Sequence, residues 1–119
     1  MLRGPSGAGK SDLALRLMGE GWRLIGDDYV HAFASGGGLY AAPAERIAGR
    51  IEARGVGVVA TLHRPLARVR LIVDCVKEGV ERHPENDHAE VAGAFVPRLT
   101  LDIRPASATA IIARAMRRL

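Results

Sequence analysis

The chain has 119 residues, 48% of them apolar and 25% charged, which fits one globular domain with a hydrophobic core of its own. No apolar run is long enough to span a bilayer, no charged leader precedes an apolar segment, and a single cysteine excludes an internal disulfide. A formal charge of +4 suits anionic partners, but only two tyrosines, two phenylalanines and one tryptophan are present, too few to stack single-stranded nucleic acid along a basic groove. The expectation is a single cytoplasmic domain over residues 1–119, acting without nucleic acid or membrane.

In chain order, the first feature is "GPSGAGKS", residues 4–11, which satisfies G-x-x-x-x-G-K-S/T in full. Glycines at 4, 7 and 9 are expected to permit positive φ and to bring backbone N–H groups close to phosphate oxygens. Gly4, Pro5, Ser6, Gly7, Ala8, Gly9, Lys10 and Ser11 are thus candidate nucleotide-binding residues. Lys10 would supply a cation to the β- and γ-phosphates, and the Ser11 hydroxyl is placed for Mg²⁺. A bland glycine-rich helix cap is the alternative. Only Met1, Leu2 and Arg3 precede the loop, too few for a central strand, so either the start is truncated or the sheet is completed differently.

"SDLALRLM", residues 11–18, sets Leu13, Ala14 and Leu17 on one helical face, and "GEG" at 19–21 stops the helix. Trp22 is expected to pack partly buried. "WRLI" at 22–25 and "YVHAFA" at 29–34 read as strands on either side of Asp27 and Asp28, and "SGGG" at 35–38 turns into "LYAA" as a hairpin. The adjacent carboxylates read either as a solvated turn or as a base paired with a metal-orienting neighbour.

"AERIAGRIE", residues 44–52, has a helical pattern behind Pro43. Glu52 at its end and Arg54 beyond it read as a surface ion pair, or as a Mg²⁺ ligand and a cation for a transferring phosphoryl group. "GVGVVAT" and "VRLIVDCV" are the best strands, with Cys75 a small core residue rather than a nucleophile. "KEGVERHPENDHAEV", residues 77–91, reads as a surface connection or a mobile loop over substrate. "PRLTLDI" at 97–103 alternates as a strand, and "SATAIIARAMRRL" closes the chain as a helix capped by Ser107, with arginines in its last turn favouring the dipole. His31, His63, His83 and His88 match no zinc spacing. Strands with three helices indicate a mixed α/β domain.

Taken together, "GPSGAGKSDLALRL", "GWRLIGDDYV" and "EARGVGVV" resemble the catalytic domain of the bacterial HPr kinase/phosphorylase family, and "VRLIVDCV" and "VPRLTLDIRP" fall where that family has its later strands. The resemblance covers essentially the whole chain. It implies an α/β P-loop kinase fold of the PEP carboxykinase-like type, a mixed sheet with flanking helices. It also implies ATP held by Lys10 and the loop, and Mg²⁺ on Ser11 and Glu52. Asp28 would accept the proton of a serine on the phosphocarrier protein HPr, with Asp27 beside it. Arg54 belongs to the family signature, and Arg82 matches a family arginine at the site, its bland reading being a solvated loop residue. A homo-oligomer, a hexamer, is implied as well.

Two departures stand out. The N-terminal domain and upstream histidine of longer members are not in these residues, which is similar to short forms of alphaproteobacterial type. Where the family has Arg-Pro-Gly-Arg, tied to phosphorolysis of phosphoserine, this chain reads "IRPAS", with Arg104 and Pro105 alone retained. The kinase direction is therefore the expectation, against a small-molecule P-loop kinase and a non-catalytic nucleotide-binding module.

Overall fold

The computed structural model describes residues 1–27, 30–44, 47–76 and 87–119. Its spine is a four-stranded sheet in the order β1 (Leu2–Arg3), β7 (Ile72–Val76), β9 (Ala94–Asp102) and β8 (His88–Val91). The first three are parallel and β8 runs antiparallel to β9, so the sheet is mixed, as expected.

Side-chain alternation along the spine sorts residues between its two faces. From β7, Val73 and Cys75 point one way; from β9, Leu101 does, with Ile103 just beyond. They pack under α1 (Lys10–Gly19) and α2 (Ala108–Arg117) with Leu13, Leu17, Ala108 and Ile112. Ile72 and Val96 point the other way, onto Leu39, Ala41 and Val69 of a second sheet, β2 (Val30–Ser35), β3 (Gly38–Pro43) and β6 (Ala67–Val69). Two helices, a mixed sheet and an antiparallel sheet form three layers around two apolar clusters. Thr109 Oγ1 donates to Glu20 Oε1 at 2.9 Å, and Arg16 Nη2 to the Ile103 carbonyl at 2.6 Å; both tie the helical layer together.

Beyond its apolar part, the second face of the spine carries a charge ladder. Arg3 Nε donates to Asp74 Oδ1 at 2.8 Å, and Arg98 grips Asp87 at 2.9 and 2.7 Å. Arg98 also lies 3.7 Å from Asp74, linking β1, β7 and β9 with Asp87 just ahead of β8. These groups are part-exposed, so the ladder contributes register more than stability.

Several expectations change. Strand β1 exists, but it is two residues long and lies at the sheet edge, with β7 its neighbour. "WRLI" forms no strand; Leu24 makes one parallel bridge to His63. The helix expected over 44–52 is absent from its described part. Ile47 to Gly49 turn, and β4 (Arg50–Ala53) pairs with β5 (Gly57–Ala60) as a separate two-stranded ribbon. Gly49 explains the failure: its φ is +73°, which breaks a helix, and a Cβ there would meet His63 Nδ1 at 2.8 Å. Ser107 precedes α2 as expected but makes no side-chain capping bond. "VRLIVDCV" divides between the end of β6 and β7, and β9 starts three residues ahead of the expected strand.

The remaining elements agree with the sequence. The β2–β3 hairpin turns on Gly36 and Gly37, both at positive φ, as tight two-residue turns require. Helix α1 ends where expected, with the Gly21 and Trp22 amides donating back to the Met18 and Leu17 carbonyls. Cys75 is 2% exposed and burial pushes its thiol above the usual range, so it is an inert core residue. Trp22 is more open than expected, at 36% exposure. No helix among the described residues is long and apolar enough to cross a membrane.

Candidate active site at the phosphate loop

The loop leaves the C-terminal end of β1 and runs into α1, where parallel-sheet proteins gather their ligands. Each glycine has its own reason. Gly7 and Gly9 sit at φ +82° and +94°, as the sequence suggests. Gly4 is different: its φ is not positive, and its requirement is close approach. A Cβ there would stand 2.9 Å from the Cys75 carbonyl and 3.3 Å from Cys75 Cβ. The loop is thereby pinned to the neighbouring strand, and the Ala8 methyl is buried beneath it in the helical-layer core.

Gly9 caps α1 with no side chain of its own, so no side-chain oxygen satisfies the first helical amides. Those free donors and the positive end of the helix dipole face the space above the loop, an arrangement that favours an anion. Lys10 opens the helix. Its Nζ curls back to donate to the carbonyls of Gly4 at 2.7 Å and Pro5 at 3.0 Å. A phosphate oxygen would offer the ammonium a charge-assisted bond, stronger than these neutral ones.

Ser11 Oγ donates to Asp27 Oδ1 at 2.8 Å, and the backbone N–H of Glu52 donates to Asp27 Oδ2 at 3.1 Å. One carboxylate therefore binds the start of α1 to strand β4. The hairpin β4–β5 turns through Arg54 and Gly55, with Val56 N–H on the Ala53 carbonyl at 3.0 Å. That turn holds Glu52 and Arg54 across from the loop, so Ser6, Lys10, Ser11, Asp12, Glu52 and Arg54 line one cavity of about 260 Å³. The residue pattern suggests a helix ending at Glu52, but Glu52 lies on β4, and strand alternation turns it to the cavity because Ile51 beside it is buried at 1% exposure. Asp12, which sequence reasoning passed over, also lines this space and pairs with Arg16 one turn on, at 3.2 Å. Its only sequence signal was its place directly after Ser11.

The structure thus brings together the loop, Lys10, Ser11, Asp27, Glu52 and Arg54. Asp28 and Arg82 lie outside the described residues, as does most of the 77–91 segment, of which His88–Val91 forms β8. Hard oxygen ligands beside a phosphate-accepting loop are the donor set that Mg²⁺ takes, so Ser11, Asp27 and Glu52 fit that ion.

Comparison with known proteins gives the family and the fold. The family model for the HPr Serine kinase C-terminal domain matches residues 1–118. The HPr kinase/phosphorylase of Streptococcus thermophilus is 30% identical across 97% of this chain and 41% of its own length. That of Streptococcus pneumoniae is also 30% identical with the same coverage, and that of Streptococcus gordonii 28%. The chain spans about two fifths of the length of these curated relatives. In three dimensions it superposes on the HPr(Ser) kinase/phosphatase from Coxiella burnetii with a TM-score of 0.80, over 98% of this chain and 84% of that one, at 21% identity. This likeness establishes the α/β P-loop kinase fold with a mixed sheet and flanking helices. The chain belongs to the HPr serine kinase C-terminal domain family.

Proposed function

We propose that this domain is an ATP-dependent protein serine kinase that phosphorylates a seryl residue of an HPr-like phosphocarrier protein. The observation that carries the reading is the Ser11–Asp27 hydrogen bond of 2.8 Å beside Lys10, which sets a metal-binding corner against a phosphate loop. The named relatives are HPr kinase/phosphorylases, and that supports the carrier as the acceptor.

The loop amides and Lys10 hold the triphosphate, and Ser11, Asp27 and Glu52 hold Mg²⁺. The ion, when bound, offsets charge on the β- and γ-phosphate oxygens. Both Asp27 oxygens already accept hydrogen bonds, from Ser11 and from the Glu52 amide, so Asp27 serves as a holder. The proton-accepting role then falls to its neighbour Asp28. The serine oxygen forms a bond to the γ-phosphorus, its proton passes to the Asp28 carboxylate, the bond to the β–γ bridging oxygen breaks, and ADP leaves. Arg54, and Arg82 by family resemblance, neutralise charge on the phosphoryl group in flight. The reverse reaction is not part of this reading. Ala106 and Ser107 replace the expected glycine and second arginine, and Arg104 is held on Asp102 by contacts of 3.0 and 2.9 Å. A cytoplasmic location and a homo-oligomer, a hexamer, complete the proposal.

Incubation with labelled ATP, Mg²⁺ and HPr from the same source tests it. Label should appear on a carrier serine and vanish with Asp28→Asn. Nucleotide binding without transfer to the carrier, or label on a small molecule instead, overturns the assignment.

A further inference from the structure

The ribbon of β4 and β5 has one covered face and one open face. In its register Ile51 pairs with Val59 and Glu52 with Val58, and residues directly opposite across an antiparallel ladder share a face. Ile51 is buried and Val59 and Ala53 are half-buried, so that face turns toward the body of the domain. Arg50, Glu52, Val58 and Ala60 make up the other face, and all four are exposed. Since Glu52 lines the polar cavity, the open face of the ribbon continues the rim of that cavity.

Two valines stand beyond the rim and do not line the cavity. Val58 faces Glu52 across the ladder, a pairing that sets Cβ atoms about 5 Å apart. Val56 sits in the turn, two residues past Arg54. They are 68% and 76% exposed. An acceptor small enough to stay within about 260 Å³ touches neither, whereas one that overhangs the rim covers both. Charge refines the choice. Arg50, on the same face and on the far side of Glu52 from the turn, has no carboxylate partner among the described residues. We propose that this open face selects the acceptor: it receives a polypeptide whose serine enters the cavity, with an apolar side chain beside the serine covering Val58 and Val56 and an acidic side chain further along meeting Arg50. The assignment rests on the protein-kinase reading above and adds to it the residues that choose among acceptors. Covering the valines also removes water from the rim next to the reacting oxygen.

The test measures transfer from labelled ATP to HPr from the same source, with the carrier and the nucleotide varied in turn. Val58→Thr keeps the β-branched shape that suits a strand and loses only apolar contact. It is expected to raise KM for the carrier about three- to tenfold while KM for ATP stays put, a split that a general loosening of the site would not give. Val56→Thr should act in the same direction, and Val58→Ile, which keeps the apolar surface, should behave as the parent does. Arg50→Gln is expected to raise the same KM about threefold and to make it less sensitive to added salt. A parent protein that labels no carrier overturns the kinase reading, and the acceptor face with it. Normal labelling by the parent, with KM for the carrier unmoved in Val58→Thr, Val56→Thr and Arg50→Gln, overturns the acceptor face alone. So does sedimentation showing that Val58→Thr breaks an oligomer into monomers, because the face then joins copies of this chain.

Discussion

Two cavities of similar size, about 260 and 330 Å³, meet at Lys10, and they are built on opposite principles. The first is lined by a phosphate loop, a serine, carboxylates and an arginine, and its shape is set by hydrogen bonds between named polar groups. The second is a seam lined by Leu17 and Ile112 of one apolar cluster and Ala41 and Val69 of the other, with Arg23, Asp27, Arg68 and Arg70 also on its wall. Phosphate chemistry demands fixed donors and dipoles at defined points, whereas the apolar seam only demands that water leave. The contrast means that substitutions on one side should be legible in activity, and those on the other in stability.

Lys10→Ala offers the sharpest way to break that division. Its Nζ is exposed and, among the described residues, bonds to the loop carbonyls of Gly4 and Pro5, so circular dichroism should show an intact fold. ATP-dependent transfer should drop by at least about a hundredfold. If the polar cavity is the catalytic one, Trp22 fluorescence in the apolar seam should barely change.

Asp27→Asn tests the link between Ser11 and β4. The amide oxygen still accepts one hydrogen bond, but the negative charge is gone. Transfer should fall by roughly ten- to a hundredfold with a higher Mg²⁺ requirement, read from initial rates across a metal titration. An unchanged metal requirement would remove Asp27 from the holding role.

Gly4→Ala tests the point where the phosphate loop is pinned to β7. Its new Cβ would meet backbone, the Cys75 carbonyl at 2.9 Å, which cannot swing aside as a long side chain can. Chemical denaturation should show a loss of about 1–3 kcal/mol, with transfer reduced as the loop shifts.

The smallest effect belongs outside both cavities, on the charge ladder. The Arg98 hydrogen bond holds the Asp87 carboxyl below its usual range. A carboxylate depressed in the folded state adds stability above its unfolded pKa, about 3.9 for aspartate, and loses it as pH falls through the lower folded value. Asp87→Asn should therefore flatten the acid side of a melting-temperature profile below about pH 4 and leave transfer at neutral pH unaltered.

How much of this was written in the sequence depends on how far apart the cooperating residues lie. The loop, helix α1, the glycine turn between β2 and β3 and the final helix were all legible, because each is decided by neighbours within a few positions. The 44–52 segment misled for the same reason. Its apolar spacing is helical, but Gly49 adopts φ +73° beneath His63, fourteen positions away in the chain, and Ile51 is buried as a strand residue. Gly4 showed a related limit, since its pattern position was clear while its cause, the Cys75 carbonyl, lies across the sheet.

The sequence by itself determined that a phosphate-binding turn opens a helix and that Asp27, Asp28, Glu52 and Arg54 follow it. A contiguous motif carries its own backbone geometry. Tertiary structure alone decided that Asp27 reaches Ser11 and the Glu52 amide, that Glu52 stands on a strand, and that residues of two apolar clusters line one seam. Those facts depend on distances between segments remote in the chain, which are set by packing the two cores together and by no local propensity.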